Sequence, residues 1–127
     1  MSKVSKPLAG VLLAGGLARR MGGGDKCLLP LAGRPLLQHA IDRARPQVSA
    51  LIINAGGDPS RFSSYRLPVV ADVTYGGALD NFAGPLAGIL TGLEWVAENL
   101  ADSIWMASFA TDAPLIPNDL VSRLAAA

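Results

Sequence analysis

The sequence predicts an α/β fold, a three-layer, Rossmann-like arrangement in which a mostly parallel sheet carries helices on both faces. Two observations support this prediction. Short apolar runs typical of buried strands alternate along the chain with segments of helical periodicity. Small or polar residues follow these apolar runs, and ligands of such sheets bind outside the carboxyl ends of the strands. We therefore expect a site at the strand ends.

Four apolar runs are predicted to form the strands. Turn-forming or polar residues follow them, as is typical of buried strands. The predicted strands are residues 8–13, 50–53, 69–71 and 104–110. The polar, glycine-containing segment 74–83 is predicted to be a loop over the site.

Three segments with apolar residues at helical spacing are predicted to form the helices. Pro35 suits the first position of the first helix, and Pro46 ends it. Pro85 suits the start of the second helix, and the third begins at Pro117 and Asn118. One stripe of residues is predicted to be the buried face of the second helix: Leu86, Ile89, Leu90, Leu93, Val96 and Ala97.

Length and composition limit the class of protein. The chain of 127 residues is predicted to be one domain, 1–127, with a flexible tail at 1–6. Half of its residues are hydrophobic and its net charge is +1, which favours a globular fold and argues against binding of nucleic acid by bulk charge. It has one cysteine and no apolar run near the roughly 18 residues of a membrane span. We therefore expect a cytoplasmic protein with no membrane partner.

A glycine-rich, basic loop follows the first predicted strand and ends at Lys26. Glycine backbone can turn its N–H groups toward an anion and approach a ligand closely. Arg19, Arg20 and Lys26 add the positive charge that phosphate oxygens need. The loop is therefore predicted to cradle a triphosphate, although a solvated, flexible loop is the alternative. Its glycines are Gly15, Gly16, Gly22, Gly23 and Gly24.

Two well-known phosphate-binding motifs match this loop poorly. In a P-loop, lysine directly follows glycine and precedes a hydroxyl residue, whereas Asp25 precedes Lys26 here and Cys27 follows it. The dinucleotide-binding fingerprint should open a helix directly after the strand, and no helical periodicity follows Gly16. The loop therefore belongs to neither class.

Polar residues at the other strand ends are further candidates for the site. Asn54 and Asp72 each follow a predicted strand, where they could bind a ligand or form a turn. Asp112 follows the last strand, where a carboxylate suits Mg²⁺ held together with substrate phosphates, or caps a helix. Four other residues with reactive or aromatic side chains are predicted to serve structure only: Cys27, His39, Trp95 and Trp105.

The motifs along the chain resemble those of molybdenum cofactor guanylyltransferases, which lie within the wider nucleotidyltransferase group. The segments that carry the resemblance are Leu13-Ala14-Gly15-Gly16, Arg20-Met21-Gly22-Gly23, Asp25-Lys26, Leu31-Ala32-Gly33-Arg34-Pro35-Leu36-Leu37-Gln38-His39, Ile53-Asn54-Ala55, Gly84-Pro85-Leu86-Ala87-Gly88 and Asp112-Ala113-Pro114. The resemblance implies a fold of the nucleotide-diphospho-sugar transferase type. It also implies that this chain is the N-terminal portion of a longer family domain and is C-terminally incomplete.

The resemblance further implies a reaction and a set of site residues. GMP would pass from GTP to molybdopterin with release of pyrophosphate, Mg²⁺ as cofactor and transient contact with other cofactor-biosynthesis or acceptor proteins. The residues that would contact GTP are Leu13, Ala14, Gly15, Lys26, Asn54, Asp72 and Asp112. Asp112 would also bind Mg²⁺, and Arg20 and Gly23 match loop positions of the family. The doubled glycine, Gly15-Gly16, is similar to members that use GTP.

The chain departs from the family pattern next to Asp112. The family usually has proline and cysteine before this aspartate and threonine after it, whereas this chain has Ala110, Thr111 and Ala113. Two alternatives to the guanylyltransferase hypothesis stay open at this point. One is a related nucleotidyltransferase that uses CTP or a sugar phosphate, and the other is a nucleotide-binding module without catalysis.

Overall fold

A computed structural model describes most of the chain, namely residues 8–14, 26–56, 59–71, 85–100, 102–103, 105–111 and 116–126. Of Lys26, Pro85, Leu86 and Ala125 it describes the backbone but not the side chain. The predicted tail at 1–6 and the predicted loop at 74–83 lie outside the described residues, so both stay predictions.

The described residues form six strands and three α-helices, joined in part by short 3₁₀ helices. The strands are β1 (Leu8–Leu13), β2 (Pro30–Leu31), β3 (Arg34–Pro35), β4 (Ala50–Asn54), β5 (Val69–Val70) and β6 (Trp105–Ala110). The α-helices are α1 (Leu36–Ala44), α2 (Pro85–Asn99) and α3 (Leu120–Ala126). The 3₁₀ helices are Lys26–Leu28, Arg45–Gln47 and Pro59–Tyr65.

The main sheet is parallel and has the strand order β5-β4-β1-β6. β1 is central and pairs with both β4 and β6. The chain first moves outward from β1 to β4 and β5, and then crosses back to β6 on the other side of β1. The strand order thus reverses between β1 and β6, which is the topological switch point where such sheets bind ligands. The predicted parallel sheet is confirmed.

Helices cover both faces of the sheet. Alternate residues of a strand point to opposite faces, so neighbouring residues of one strand meet different helices. Leu12, Ile53 and Phe109 belong to one buried cluster together with residues of α1 and α3. The neighbouring residues Val11 and Leu13 point the other way, toward glycines of α2. The sheet therefore lies between α1 and α3 on one side and α2 on the other, as the three-layer prediction requires.

The face of α2 that meets the sheet consists of small residues, contrary to the predicted stripe. Gly88, Thr91 and Gly92 are buried together with Val96, whereas Leu93 is 48% exposed. A Cβ on Gly92 would lie 3.3 Å from Val11, so the missing side chains let α2 approach the sheet closely. The predicted stripe counted bulky residues and was wrong for the exposed Leu93 and Ala97, whereas Ile89 and Leu90 are half-buried and Val96 is buried as predicted.

The first helix begins one residue later than predicted. Pro35 belongs to the antiparallel pair of β2 and β3, and its ψ of 148° is extended rather than helical. The turn between these strands requires positive φ at Ala32 (56°) and Gly33 (81°). α1 then buries Leu37, Ala40, Ile41 and Ala44 at helical spacing, which confirms the predicted helix and its apolar face.

The 3₁₀ helix Pro59–Tyr65 was not predicted. Its Phe62 is fully buried in the cluster beneath α1, and the Arg61 guanidinium lies 4.3 Å from the centre of the Phe62 ring. The segment holds three serines and one apolar aromatic residue that is buried, so it has no stripe that periodicity could detect.

Among the described strands, β6 forms one edge of the sheet, and its first residue is exposed. Trp105 leaves 64% of its surface open, so the prediction that it packs in the interior was wrong. His39 does have a structural role, since its Nε2 lies 2.7 Å from the Leu31 carbonyl oxygen.

Within the parts of the chain that the structure covers, no helix could span a membrane.

Candidate nucleotide-binding site

The carboxyl ends of the four parallel strands lie at the same edge of the sheet. Leu13 at the end of β1 is in register with Asn54 at the end of β4 and with Ala110 at the end of β6. Asn54 is in turn in register with Val70 at the end of β5. The described strand ends therefore lie side by side, whereas their convergence on one ligand stays a prediction.

The first peptide after β1 is held from both sides. On one side, the Ala14 N–H donates to the Asn54 carbonyl oxygen at 2.9 Å. On the other side, the Thr111 hydroxyl donates to the Leu13 carbonyl oxygen at 2.9 Å. The Leu13 carbonyl and the Ala14 N–H belong to the same peptide unit, so the ends of β4 and β6 fix its plane together.

Asn54 is buried at the strand ends, with 5% of its surface exposed. Its side-chain Nδ2 donates to the Val70 carbonyl oxygen at 3.1 Å, which ties β4 to β5 beyond their backbone pairing. On its other side the carboxamide lies against Gly88 of α2, where a Cβ would clash with Oδ1. The side chain is therefore held in one orientation by β5 and α2.

The 3₁₀ helix that follows the glycine loop contacts the end of β1. The 3₁₀ helix Lys26–Leu28 places Cys27 in the core, and the Cys27 thiol donates to the Ala14 carbonyl oxygen at 3.9 Å. Lys26 thus lies one residue from a contact with the strand end. Burial raises the pKa of the neighbouring Tyr65 hydroxyl, and the charge of Cys27 raises it further.

Segment 112–115 contains Asp112, and the residues that follow it are anchored by α1 and the 3₁₀ helix Arg45–Gln47. Arg43 donates to the Ile116 carbonyl oxygen at 3.1 Å. Gln47 Nε2 donates to the Pro117 carbonyl oxygen at 2.9 Å, and the Val121 N–H in α3 donates to Gln47 Oε1 at 2.7 Å. α3 itself begins at Leu120, later than predicted, and Pro117 and Asn118 precede it.

The predicted site residues divide into two groups. Leu13, Ala14 and Asn54 lie together at the strand ends, and Cys27, the residue after Lys26, contacts Ala14. The remaining predicted residues lie outside the described residues, so their roles stay predictions: Gly15, Gly16, Arg20, Gly23, Asp72 and Asp112. Among the residues that the structure describes, no group of histidine, cysteine or acidic side chains could hold a metal ion.

Three contributors to this edge were not predicted. Gly88 was recognised only as part of a motif, and its close approach to Asn54 depends on packing that a motif does not reveal. The sequence put Thr111 next to Asp112 without assigning it a role, and Cys27 was assigned none beyond structure. The hydroxyl of Thr111 at the end of an otherwise apolar and small-residue strand was the one available signal.

Comparisons with known proteins agree with this fold. Residues 10–127 match the model of the MobA-like NTP transferase domain. A molybdenum cofactor guanylyltransferase from Bradyrhizobium sp. (strain ORS 278) is 54% identical over 99% of this chain and 57% of its own length. One from Yersinia pestis (strain Pestoides F) is 44% identical over 92% of this chain and 55% of its own length. The chain thus spans about half the length of these relatives.

Solved structures of other proteins share the fold at lower identity. CMP:2-keto-3-deoxy-manno-octonic acid synthetase, solved with CTP, superposes with a TM-score of 0.65 at 17% identity, covering 94% of this chain and 46% of that one. Rv0371c of Mycobacterium tuberculosis H37Rv, solved in complex with manganese, has a TM-score of 0.62 at 21% identity, covering 97% of this chain and 60% of its own. From its fold and the match over residues 10–127, the chain belongs to the MobA-like NTP transferase family.

Proposed function

We propose that the protein is a molybdenum cofactor guanylyltransferase, which transfers GMP from GTP to the molybdopterin cofactor and releases pyrophosphate. The observation that carries the proposal is the 54% identity to relatives of that name over nearly the whole of this chain. The register of the strand ends supports it, because Leu13, Ala14 and Asn54 lie together where a nucleotide would bind.

In this reaction the terminal phosphate of molybdopterin attacks the α-phosphate of GTP, and the bond to the pyrophosphate leaving group breaks. Both reactants are anions, so positioning and neutralisation of charge are the main tasks of the protein. We assign neutralisation to Lys26, Arg20 and the backbone amides of the glycine loop. No covalent intermediate with the protein is needed, and we assign no nucleophile.

We propose that Asp112 would hold Mg²⁺ at this site. Asp112 lies two residues beyond Ala110, which is in register with Leu13 at the switch point of the sheet. A carboxylate beside bound phosphates is the usual environment of Mg²⁺ in proteins, where the ion neutralises charge on the phosphate oxygens. We propose that Asp72 contacts the nucleotide from the end of β5, on the far side of Asn54.

The proposed partners of the protein follow from the reaction. They are GTP, the molybdopterin cofactor and, transiently, the proteins that supply or receive the cofactor. The single cysteine fits a reducing compartment, and we propose the cytoplasm as the place of the reaction.

Calorimetric titration with GTP, CTP and ATP, each with and without Mg²⁺, tests this proposal. We expect GTP to bind most tightly, with an affinity that Mg²⁺ increases. Asp112→Asn should remove most of the Mg²⁺ effect, because the amide keeps the size of the carboxylate but loses its charge. Lys26→Met should weaken binding about tenfold or more, as expected for loss of a charge-assisted hydrogen bond.

Arg66→Met is the matched control, because Arg66 is an exposed cation on the segment that precedes β5. It should leave the affinity for GTP unchanged. A preference for CTP would indicate instead that the protein is a related nucleotidyltransferase. Binding of GTP without transfer of GMP when molybdopterin is supplied would indicate that the protein is a nucleotide-binding module without catalysis.

A further inference from the structure

Thr111 connects two strand ends through its side chain rather than through its backbone. The ladder between β1 and β6 ends at the pair of Leu13 and Ala110. One residue further on, the Thr111 hydroxyl donates a hydrogen bond to the Leu13 carbonyl oxygen at 2.9 Å. Thr111 is 5% exposed, so water has little access to replace this hydrogen bond.

The hydrogen bond acts on the peptide unit with which the glycine loop begins. The N–H of that unit, contributed by Ala14, is already bonded to the Asn54 carbonyl oxygen at 2.9 Å. With the Thr111 hydroxyl on its carbonyl, the peptide plane has a partner on each side of β1. Rotation of the plane would break both hydrogen bonds, so the peptide unit between Leu13 and Ala14 is held in one orientation.

We propose that Thr111 is a positioning residue for nucleotide binding, an inference that rests on the proposed function. The Thr111 side chain fixes the start of the triphosphate-binding loop, and its backbone leads directly into the proposed Mg²⁺ ligand, Asp112. Thr111 therefore joins the peptide unit at which that loop begins to the end of the strand that leads to Asp112.

The size of the effect follows from the fraction of molecules that are ready to bind. When only a fraction of the protein has the competent conformation, the apparent dissociation constant rises by the inverse of that fraction. Loss of a buried hydrogen bond between neutral groups changes such an equilibrium by about tenfold. We therefore expect removal of the hydroxyl to raise the dissociation constant for GTP with Mg²⁺, by at most about tenfold, because the competent fraction cannot fall further than the equilibrium shifts.

The test compares Thr111→Val with Thr111→Ser in the full chain. Valine keeps the shape of the side chain but has no hydroxyl, whereas serine keeps the hydroxyl and loses a methyl group. Leu51→Val is the matched control for stability, because Leu51 is buried near the opposite edge of the sheet, in register with Gly10. All variants are measured well below their unfolding temperatures.

Two quantities are measured, the dissociation constant for GTP with Mg²⁺ and the hydrogen-exchange rate of the Ala14 amide without ligand. Thr111→Val should raise the exchange rate about tenfold and should raise the dissociation constant by up to about the same factor. Thr111→Ser should stay within about twofold of the wild type. Leu51→Val should lower the unfolding temperature without changing the dissociation constant, which separates positioning from stability.

The possible failures of the two proposals can be told apart. A wild-type chain that binds no GTP would overturn the proposed function and the positioning role with it. A wild-type chain that binds GTP, together with a Thr111→Val variant of unchanged affinity, would overturn the positioning role alone. A serine variant as impaired as the valine variant would also overturn it, since the hydroxyl would then not be the group that matters.

Discussion

Gly88 of α2 lies directly against the carboxamide of Asn54 at the end of β4. A Cβ at position 88 would clash with Asn54 Oδ1 and lie 2.9 Å from Leu13 Cδ2. Both of these side chains belong to the strand ends where the nucleotide is proposed to bind. The distance between α2 and the sheet is therefore set at the site itself, by a residue without a side chain.

Gly88→Ala should destabilise the protein and weaken the binding of GTP together. The added methyl group must displace Asn54, Leu13 or α2, and overpacking of this kind costs about 1–3 kcal/mol. Unfolding in urea measures the loss of stability, and calorimetric titration measures binding of GTP.

Gly92→Ala is the control for this prediction, because it lies one helical turn further along the same face of α2. A Cβ there would lie 3.0 Å from Met106 Sδ, the flexible part of a side chain that can move aside. We expect a smaller loss of stability and no change in affinity for GTP. Equal effects of the two substitutions on affinity would contradict a specific role for position 88.

Gln47→Leu should lower the free energy of unfolding by about 2–4 kcal/mol, because it removes the side-chain partner of one buried and two partly buried backbone groups. Gln47 is 8% exposed and bonds to the Arg43 and Pro117 carbonyl oxygens and to the Val121 N–H. Leucine fills a similar volume but can accept or donate none of these hydrogen bonds. Urea unfolding followed by circular dichroism measures the change.

Gln38→Leu is the control for Gln47→Leu, since it makes the same substitution at a glutamine whose hydrogen bond is exposed. Gln38 donates to Asp42 Oδ1 at 2.9 Å on an exposed part of α1, beside the ion pair of Asp42 with Arg34. Surface substitutions of this kind change stability by about 0.5 kcal/mol or less. A loss as large as that of Gln47→Leu would show that side-chain volume, rather than burial of the polar groups, determines the cost.

Tyr65 should make the protein less stable in alkaline solution. Burial, and secondarily the charge of Cys27, raises the pKa of its hydroxyl in the folded state above the ordinary value near 10. Its contribution to stability is therefore complete below the pKa of the unfolded chain and is lost as the pH rises through the folded pKa. Unfolding in urea between pH 8 and pH 11, roughly the range around that value, measures this loss.

Tyr65→Phe isolates the contribution of this hydroxyl. The variant should lose less stability than the wild type as the pH rises above about 10, because phenylalanine does not ionise. Absorbance of tyrosinate in the folded protein provides a second measurement, in which Tyr65 should titrate later than a free tyrosine. Identical pH profiles of the two proteins would contradict the raised pKa.

Local patterns in the sequence predicted most of the elements that form the sheet. The apolar runs that became β1, β4 and β6 and the periodicity of α1 were sufficient, because a parallel sheet buried on both faces requires such runs. The hydrophobic pattern gave a wrong prediction for α2, where small residues pack against the sheet. Gly88 and Gly92 carry no hydrophobic signal, so the buried face of α2 was assigned to Leu93 instead.

Contacts between distant parts of the chain could not be predicted. Gln47 and Val121 are 74 residues apart, and Thr111 and Leu13 are 98 residues apart, so no periodicity within one element connects them. The candidate site was predicted in part from strand ends and in part from a family resemblance. The structure brings Leu13, Ala14 and Asn54 together, whereas the roles of Asp72 and Asp112 stay predictions.

GTP is proposed to bind at the carboxyl ends of the parallel strands, and chemical-shift mapping of backbone amides measures where it binds. Addition of GTP with Mg²⁺ should shift the amide signals of Ala14, Asn54 and Thr111. Those of Ala9 and Leu51, at the opposite edge of the sheet, should stay in place. Shifts confined to that opposite edge, or no shifts at saturating GTP, would contradict the account.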